Sequence, residues 1–231
     1  MNTIRLQIVK LVLVLSSVLF ITNCSSSSSG GGDPILGGDD LTDDIANFVP
    51  DSILAKISEL GMPIHKGTNP PIFEGTFLAS PFVMVSTNRI NDNYAVGDTI
   101  ADYFIRFYEQ NNDSLKVSID YQNGPETGTG IGGYIVGNSN EFTVFAELDI
   151  SAQGYAAKSL VVYSGRMSST GILNYYSALL MLDNFGNPGG IWIGNGDGRL
   201  FYDEDGTSPT ISGFPKSSIQ NSAKSISTVN Q

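Results

Sequence analysis

At 231 residues the chain is long enough for one domain with appendages, or at most two small domains. Only 15% of its residues are charged, while Gly, Ser, Asn and Thr are plentiful, a mixture that suits a turn-rich all-β domain and not a helical bundle. The formal net charge is −11 and no Lys/Arg cluster interrupts it, which argues against nucleic acid as a partner.

Residues 1–23 divide into a short basic region with Arg5 and Lys10, an apolar stretch from Leu11 to Ile21, and a polar exit. This is the anatomy of a secretory signal, and the apolar stretch is short for a transmembrane helix. It ends at Cys24, the sole cysteine of the chain. An exported protein with one cysteine forms no internal disulfide, so the residue needs another purpose. Ile21, Thr22, Asn23 and Cys24 resemble the lipobox of bacterial lipoproteins: an aliphatic residue, two further residues and the cysteine that receives lipid. Asn23 stands where Gly, Ala or Ser is usual, a relaxation that occurs among spirochaete lipoproteins. The resemblance implies cleavage before Cys24, acylation of that residue with palmitate-type chains, and a lipid anchor in a bacterial membrane. Two acyl chains hold a protein stably where one holds it marginally. Ser26 replaces the Asp that retains many enterobacterial lipoproteins in the inner membrane, which points to the outer membrane where that sorting rule applies, with the periplasmic and cell-surface faces both open. The alternative is a secreted protein with a chance cysteine near its cleavage site.

Residues 24–44 hold the Cys followed by Ser, Gly and Asp with few apolar side chains, the composition of a flexible tether. A chain of this kind with about 20 residues spans roughly 25 Å. Residues 45–66 read as one short helix and a linker. In "VPDSILAKISELGMP", Pro50 and Asp51 open the helix, Ile53, Leu54, Ile57 and Leu60 form one apolar face, and Gly61 and Pro63 end it. That face either packs on the domain or lies on a membrane; Asp51 and Glu59 against the single Lys56 disfavour an anionic surface.

Residues 67–211 read as β-structure. "SLKVSIDYQ" alternates with Leu115, Val117, Ile119 and Tyr121 on one face, and "EFTVFAELDI" with Phe142, Val144, Ala146, Leu148 and Ile150 inward. Further strands are expected over 74–79, 82–86, 99–109, 130–137, 158–167, 173–183, 191–193 and 199–203. The connectors "QNND", "QNGPETG", "GNSN", "SAQG", "SSTG", "NFGNPGG" and "GNGDG" carry turn chemistry. Short turns between long strands predict an antiparallel up-and-down meander of about 8–10 strands. Such a meander removes its edges most simply by closing into a barrel, which is favoured here over a sandwich. A membrane-spanning barrel needs an uninterrupted apolar outer face, and Glu147 and Asp149 interrupt it. Residues 212–231 are Ser-rich, lose the alternation and read as a loose tail.

In "PPIFEGTFLAS", Gly75, Thr76 and Phe77 open the first long strand after a helix and an extended linker. This resembles the start of lipocalin-like (calycin) barrels, where Gly-x-Trp opens the first strand. Phe77 replaces the tryptophan, the sole Trp192 lies near the end of the domain, and no helix follows the last strand. The resemblance implies a small apolar ligand inside the barrel. The phrase "GMPIHKGTNPPIFEGTF" also looks like a leader segment of uncharacterised bacterial lipoproteins, a likeness that implies no activity.

Few residues carry recognisable chemistry. His65 is the only histidine, sits in the linker and has no G-x-S-x-G elbow to serve. "GTGIGGYIVG" spaces glycines as a phosphate cradle does, but a strand and not a helix follows, so a bend or close strand packing is expected. "GNGDGRLFYDEDG" gathers Asp197, Asp203, Glu204 and Asp205 as candidate calcium ligands, against the reading of two acidic turns. Glu147 and Asp149 sit about 7 Å apart along one strand face, the carboxylate pair a glycoside hydrolase would use. Tyr103, Phe107, Tyr134 and Tyr163 are the candidate ligand-contacting rings, with Tyr175 and Tyr176 beside them. No motif points to a cofactor. The expected activity is binding of a small apolar ligand without catalysis. The alternatives are a surface or structural lipoprotein that contacts protein or glycan, and a carboxylate-dependent envelope hydrolase.

Overall fold

The computed structural model describes residues 43–214 and 224–229. Cys24, the signal segment and residues 25–42 of the expected tether lie outside the described residues. Among the described residues two helices precede the strands, α1 (Asp43–Phe48) and α2 (Asp51–Glu59), where the sequence leads one to expect a single one. α1 is too short to hold itself, and burial of Ile45 and Val49 supplies its stability. α2 begins after Pro50 as expected and buries Leu54 and Ile57. Its end is a Schellman turn: Gly61, at φ +86°, donates its N–H to Ser58 O at 2.8 Å, and Met62 donates to Ile57 O at 3.3 Å.

Twelve strands follow among the described residues, forming one sheet: β1 (Thr68–Asn69), β2 (Gly75–Ala79), β3 (Phe82–Thr87), β4 (Thr99–Ile100), β5 (Tyr103–Asn111), β6 (Lys116–Asn123), β7 (Glu126–Asn138), β8 (Glu141–Ala152), β9 (Tyr155–Met167), β10 (Gly171–Asp183), β11 (Gly198–Asp203) and β12 (Thr207–Pro209). The order is β2-β5-β6-β7-β8-β9-β10-β11-β3-β4, so β5 to β11 form an uninterrupted antiparallel meander. The count exceeds the expected 8–10 because the strand expected over 99–109 is divided into β4 and β5 and the short β1 and β12 are added, while the strand expected over 191–193 is reduced to a single bridge between Trp192 and Thr228. β11 and β12 both pair with β10, on either side of the turn at 204–206. β2 and β3 are consecutive in the chain, separated by Ser80 and Pro81, yet β2 pairs with β5 and β3 with β11. One bent segment therefore closes the sheet on itself. A bridge between Phe77 and Thr210 ties β2 to the chain just after β12. The expected all-β, barrel-like meander is the fold observed.

The glycines of β7 follow from the closure. Gly128 lies opposite Tyr121, and a Cβ there would fall 2.1 Å from the tyrosine ring; one at Gly130 would fall 2.3 Å from Leu148 Cδ2. The "GTGIGG" run is close packing inside a curved sheet, bulged between Thr129 and Tyr134.

The sheet carries an apolar cluster on each face. The inner face holds Phe77, Phe82, Tyr103, Phe107, Tyr121, Phe142, Tyr163, Tyr175 and Phe201 in one cluster. The linker residue Phe73 caps it, stacked 4.2 Å from Phe142. On the outer face, Val136, Phe145, Leu160, Val162, Ala178, Leu180 and Leu200 pack against Ile45, Val49, Leu54, Ile57, Leu60 and Met62 from the helical segment. The helix thus packs on the domain, as its apolar stripe predicts. The tail differs from expectation: within it, Ser225, Ile226, Ser227 and Thr228 are fully buried. Their composition is that of a loose segment, but main-chain hydrogen bonds into the barrel end override it.

Candidate functional site

Of the rings expected to contact a ligand, Tyr103, Phe107 and Tyr163 do not line an open space. Tyr103 and Tyr163 have no exposed surface and Phe107 has 1%, so no water-sized void touches them. Tyr103 stacks 5.1 Å from Tyr121, and its hydroxyl lies 2.9 Å from that of Tyr163. Burial pushes the phenols of Tyr103, Tyr121, Tyr163 and Tyr175 well up, so all four stay protonated. Tyr134 is on the other face of the sheet, 4.8 Å from Phe48 with the Lys116 ammonium 3.0 Å over its ring. Tyr176 also faces outward, against Tyr202 at 4.5 Å, while Tyr175 faces the interior. Three of the four candidate rings therefore build core, and the fourth supports the helices.

The acidic residues separate as well. Asp203 is buried at one end of β11, where Oδ1 accepts from Ser80 N at 3.1 Å and Oδ2 from Ser208 Oγ at 2.6 Å. Burial raises its pKa. Asp205 caps the following turn through Thr207 N at 2.9 Å. Asp197 precedes the opposite end of β11, accepting from Gly194 N at 3.0 Å and facing Arg89 at 3.4 Å. Glu204 follows Asp203 in the same turn. Among the described residues, no three His, Cys, Asp or Glu side chains converge as a metal site. Glu147 and Asp149 do come together, with Lys158 between them at 2.9 and 3.1 Å. The ammonium occupies the space that a bond awaiting hydrolysis would need. His65 Nδ1 lies 3.3 Å from Glu141 Oε2, beside a hollow of about 430 Å³ shared with Arg166, Asn174 and Tyr176.

The larger concavity lies on the outside of the barrel, a groove of about 600 Å³ across β5 to β9. Strand alternation places its walls: Arg106 from β5, Asp120 and Gln122 from β6, Thr127 and Thr129 from β7, and Asp149 and Ser151 from β8. Arg106 and Asp120 are directly opposite in the register and form an ion pair. Thr129 Oγ1 donates to the second oxygen of Asp120 at 2.8 Å. Phe214 arrives from beyond β12 and lays its ring 5.4 Å from the Arg106 guanidinium, with Tyr108 on that guanidinium at 4.7 Å. The inward-facing Tyr121 and Ile150 also line it.

The groove thus offers carboxylates, an amide, hydroxyls and a guanidinium around one half-exposed ring. These groups can donate to and accept from the hydroxyls of a ligand, and the Phe214 ring offers it an apolar face. The sequence identifies Asp120, Gln122 and Asp149 as outward-facing. It carries no signal that Arg106 and Phe214, over a hundred residues apart, meet beside them.

Compared with known proteins, the chain matches no family model, no curated protein and no solved structure. No helix among the described residues is long and apolar enough to cross a membrane, which leaves spanning by strands unaddressed.

Proposed function

We propose that this chain is a lipid-anchored envelope lipoprotein, attached through Cys24, whose barrel contacts a partner with its outer surface and catalyses nothing. The observation that carries the reading is the location of free space. The interior rings are packed to zero or near-zero exposure, whereas the groove at Arg106, Asp120 and Phe214 is open. A glycan is the occupant its chemistry favours: the Phe214 ring stacks on a sugar face while Asp120, Gln122, Thr129 and Asp149 bond the hydroxyls. The signal segment and the lone cysteine support an address outside the cytoplasm.

Calorimetry of the body from residue 43 onward, with purified envelope glycan and N-acetylglucosamine oligomers, tests the reading. Saturable binding that weakens at least tenfold in Phe214→Ala and Asp149→Ala supports it. The competing reading, a small apolar ligand inside the barrel, predicts instead that native mass spectrometry finds a copurified hydrophobic molecule whose retention ignores both substitutions.

A further inference from the structure

At the barrel end formed by the β3–β4 and β10–β11 loops, residues 224–229 pass through a turn at Ile226 and Ser227 before Thr228 bridges to Trp192, and side chains of the barrel bond their main chain. Ile226 N donates to Asn123 Oδ1 at 2.8 Å and Ser227 N to Glu126 Oε2 at 3.2 Å. Arg199 Nη1 donates to the carbonyl oxygens of Ile226 at 3.0 Å and Thr228 at 2.8 Å. Main-chain bonds complete the seat: Ala101 N to Lys224 O at 3.0 Å, Ile193 N to Ser227 O at 3.0 Å, and Val229 N to Ile191 O at 2.6 Å. Ile226 alone enters the inner apolar cluster from the 225–228 stretch, flanked by small hydroxylated residues.

The receiving groups are unusual for a mere lid. Asn123, Glu126 and Arg199 are all fully buried. Closing a barrel end with apolar side chains avoids the desolvation that buried ions suffer, so charged groups here need a separate reason. Main-chain recognition of a peptide segment supplies one, since it binds through groups every peptide has and leaves selectivity to one or two pockets. Arg199 is held ready for this task. Its Nε and Nη2 bond Asp92 at 2.8 and 2.5 Å, and its guanidinium lies 4.2 Å over the Tyr94 ring, which leaves Nη1 for the segment.

We propose that Asn123, Glu126 and Arg199 form a peptide-binding site for a short turn-forming segment carrying one β-branched apolar residue between small hydroxylated ones. The C-terminal segment is its resident occupant, and the same segment from a second copy takes the seat when the resident is displaced. The site is distinct from the outer groove and stands whether or not that groove binds glycan.

The test uses the full mature chain carrying Ile226→Asp, which spoils the resident's anchor, and a fluorescent peptide of residues 224–231, KSISTVNQ. The peptide is expected to bind this variant at least tenfold more tightly than the wild-type chain, whose seat is filled. A peptide with the same Ile226→Asp change is expected to lose binding, and adding Arg199→Lys to the variant to weaken it about tenfold, the scale of one charged hydrogen bond. If Ile226→Asp does not fold, Ile226→Ala loosens the anchor while keeping the segment. Equal binding to wild type and to whichever variant folds, or no binding to either, overturns the proposal.

Discussion

A guanidinium with no exposure survives only where its donors find acceptors, and Arg199 meets that condition through Asp92, Ile226 O and Thr228 O. Arg199→Met leaves the Asp92 carboxylate and two carbonyls without partners. A loss of about 3–5 kcal/mol in urea denaturation is expected, and a loss below about 1 kcal/mol would mean the network carries little. The carboxylates on either side of this network respond oppositely to pH. Burial alone would raise Asp92, but the hydrogen bonds and charge of Arg199 outweigh it and hold the group below its usual 3.8. Its contribution is therefore present above that pH and lost as pH falls through the lowered value. Burial pushes Glu126 above its usual 4.5, against hydrogen bonds from Ser227 and Tyr121. Its contribution is complete below 4.5 and lost as pH rises through the raised value. Glu126→Gln removes that loss, so the stability gap between wild type and variant should shrink from pH 4.5 to pH 7; a gap that stays constant contradicts the assignment.

At the scale of elements, α2 is held by its buried stripe more than by its nine residues. Ile57 has no exposed surface between the helix and the outer face of the sheet, so Ile57→Ala should cost about 2–5 kcal/mol by thermal or chemical unfolding. Gly128→Ala should also destabilise, by about 1–3 kcal/mol, because its Cβ would meet the Tyr121 ring. An unchanged midpoint would show that the ring moves aside freely. The same elements explain what the sequence conveys. α2 and β8 are legible because their periods are clean and each has one covered face. β7 is half-legible: "QNGPETG" reads as a long turn, but the turn is only Gly124 and Pro125, and the strand begins at Glu126. Alternation vanishes there because the inward places at Gly128 and Gly130 are filled by neighbours' side chains. α1 escapes notice because six residues give too few turns for a period. The buried tail escapes because its partners Asn123, Glu126 and Arg199 lie far upstream, and nothing in "KSISTV" names them. The outer groove is illegible for the same reason: outward residues are visible one strand at a time, but their convergence on Phe214 depends on closure.

For the whole molecule, closure divides the apolar residues between two cores that share one sheet. The inner core is sealed by Phe73 from the linker and by Ile226 from the tail, both distant from the strands they cover. The outer core exists only because α1, α2 and Met62 lie over β7 to β11. Removing residues 43–62 would therefore expose Phe145, Leu160, Val162, Leu180 and Leu200 as one patch and leave the inner rings in place. Contiguous apolar patches of that kind drive association or dye binding in soluble chains. A chain starting at Pro63 is expected to keep its near-ultraviolet signal from the packed tyrosines, bind an apolar dye and sediment as dimers or larger species. A monomer that binds no dye would show that the outer face needs no cover. Loss of the near-ultraviolet signal would show that the helices are part of what closes the sheet, and the two cores would then be one cooperative unit. The first outcome follows if closure rests on the β2–β3 bend, because that segment, its two partners β5 and β11, and the Phe77–Thr210 bridge all lie downstream of the deletion.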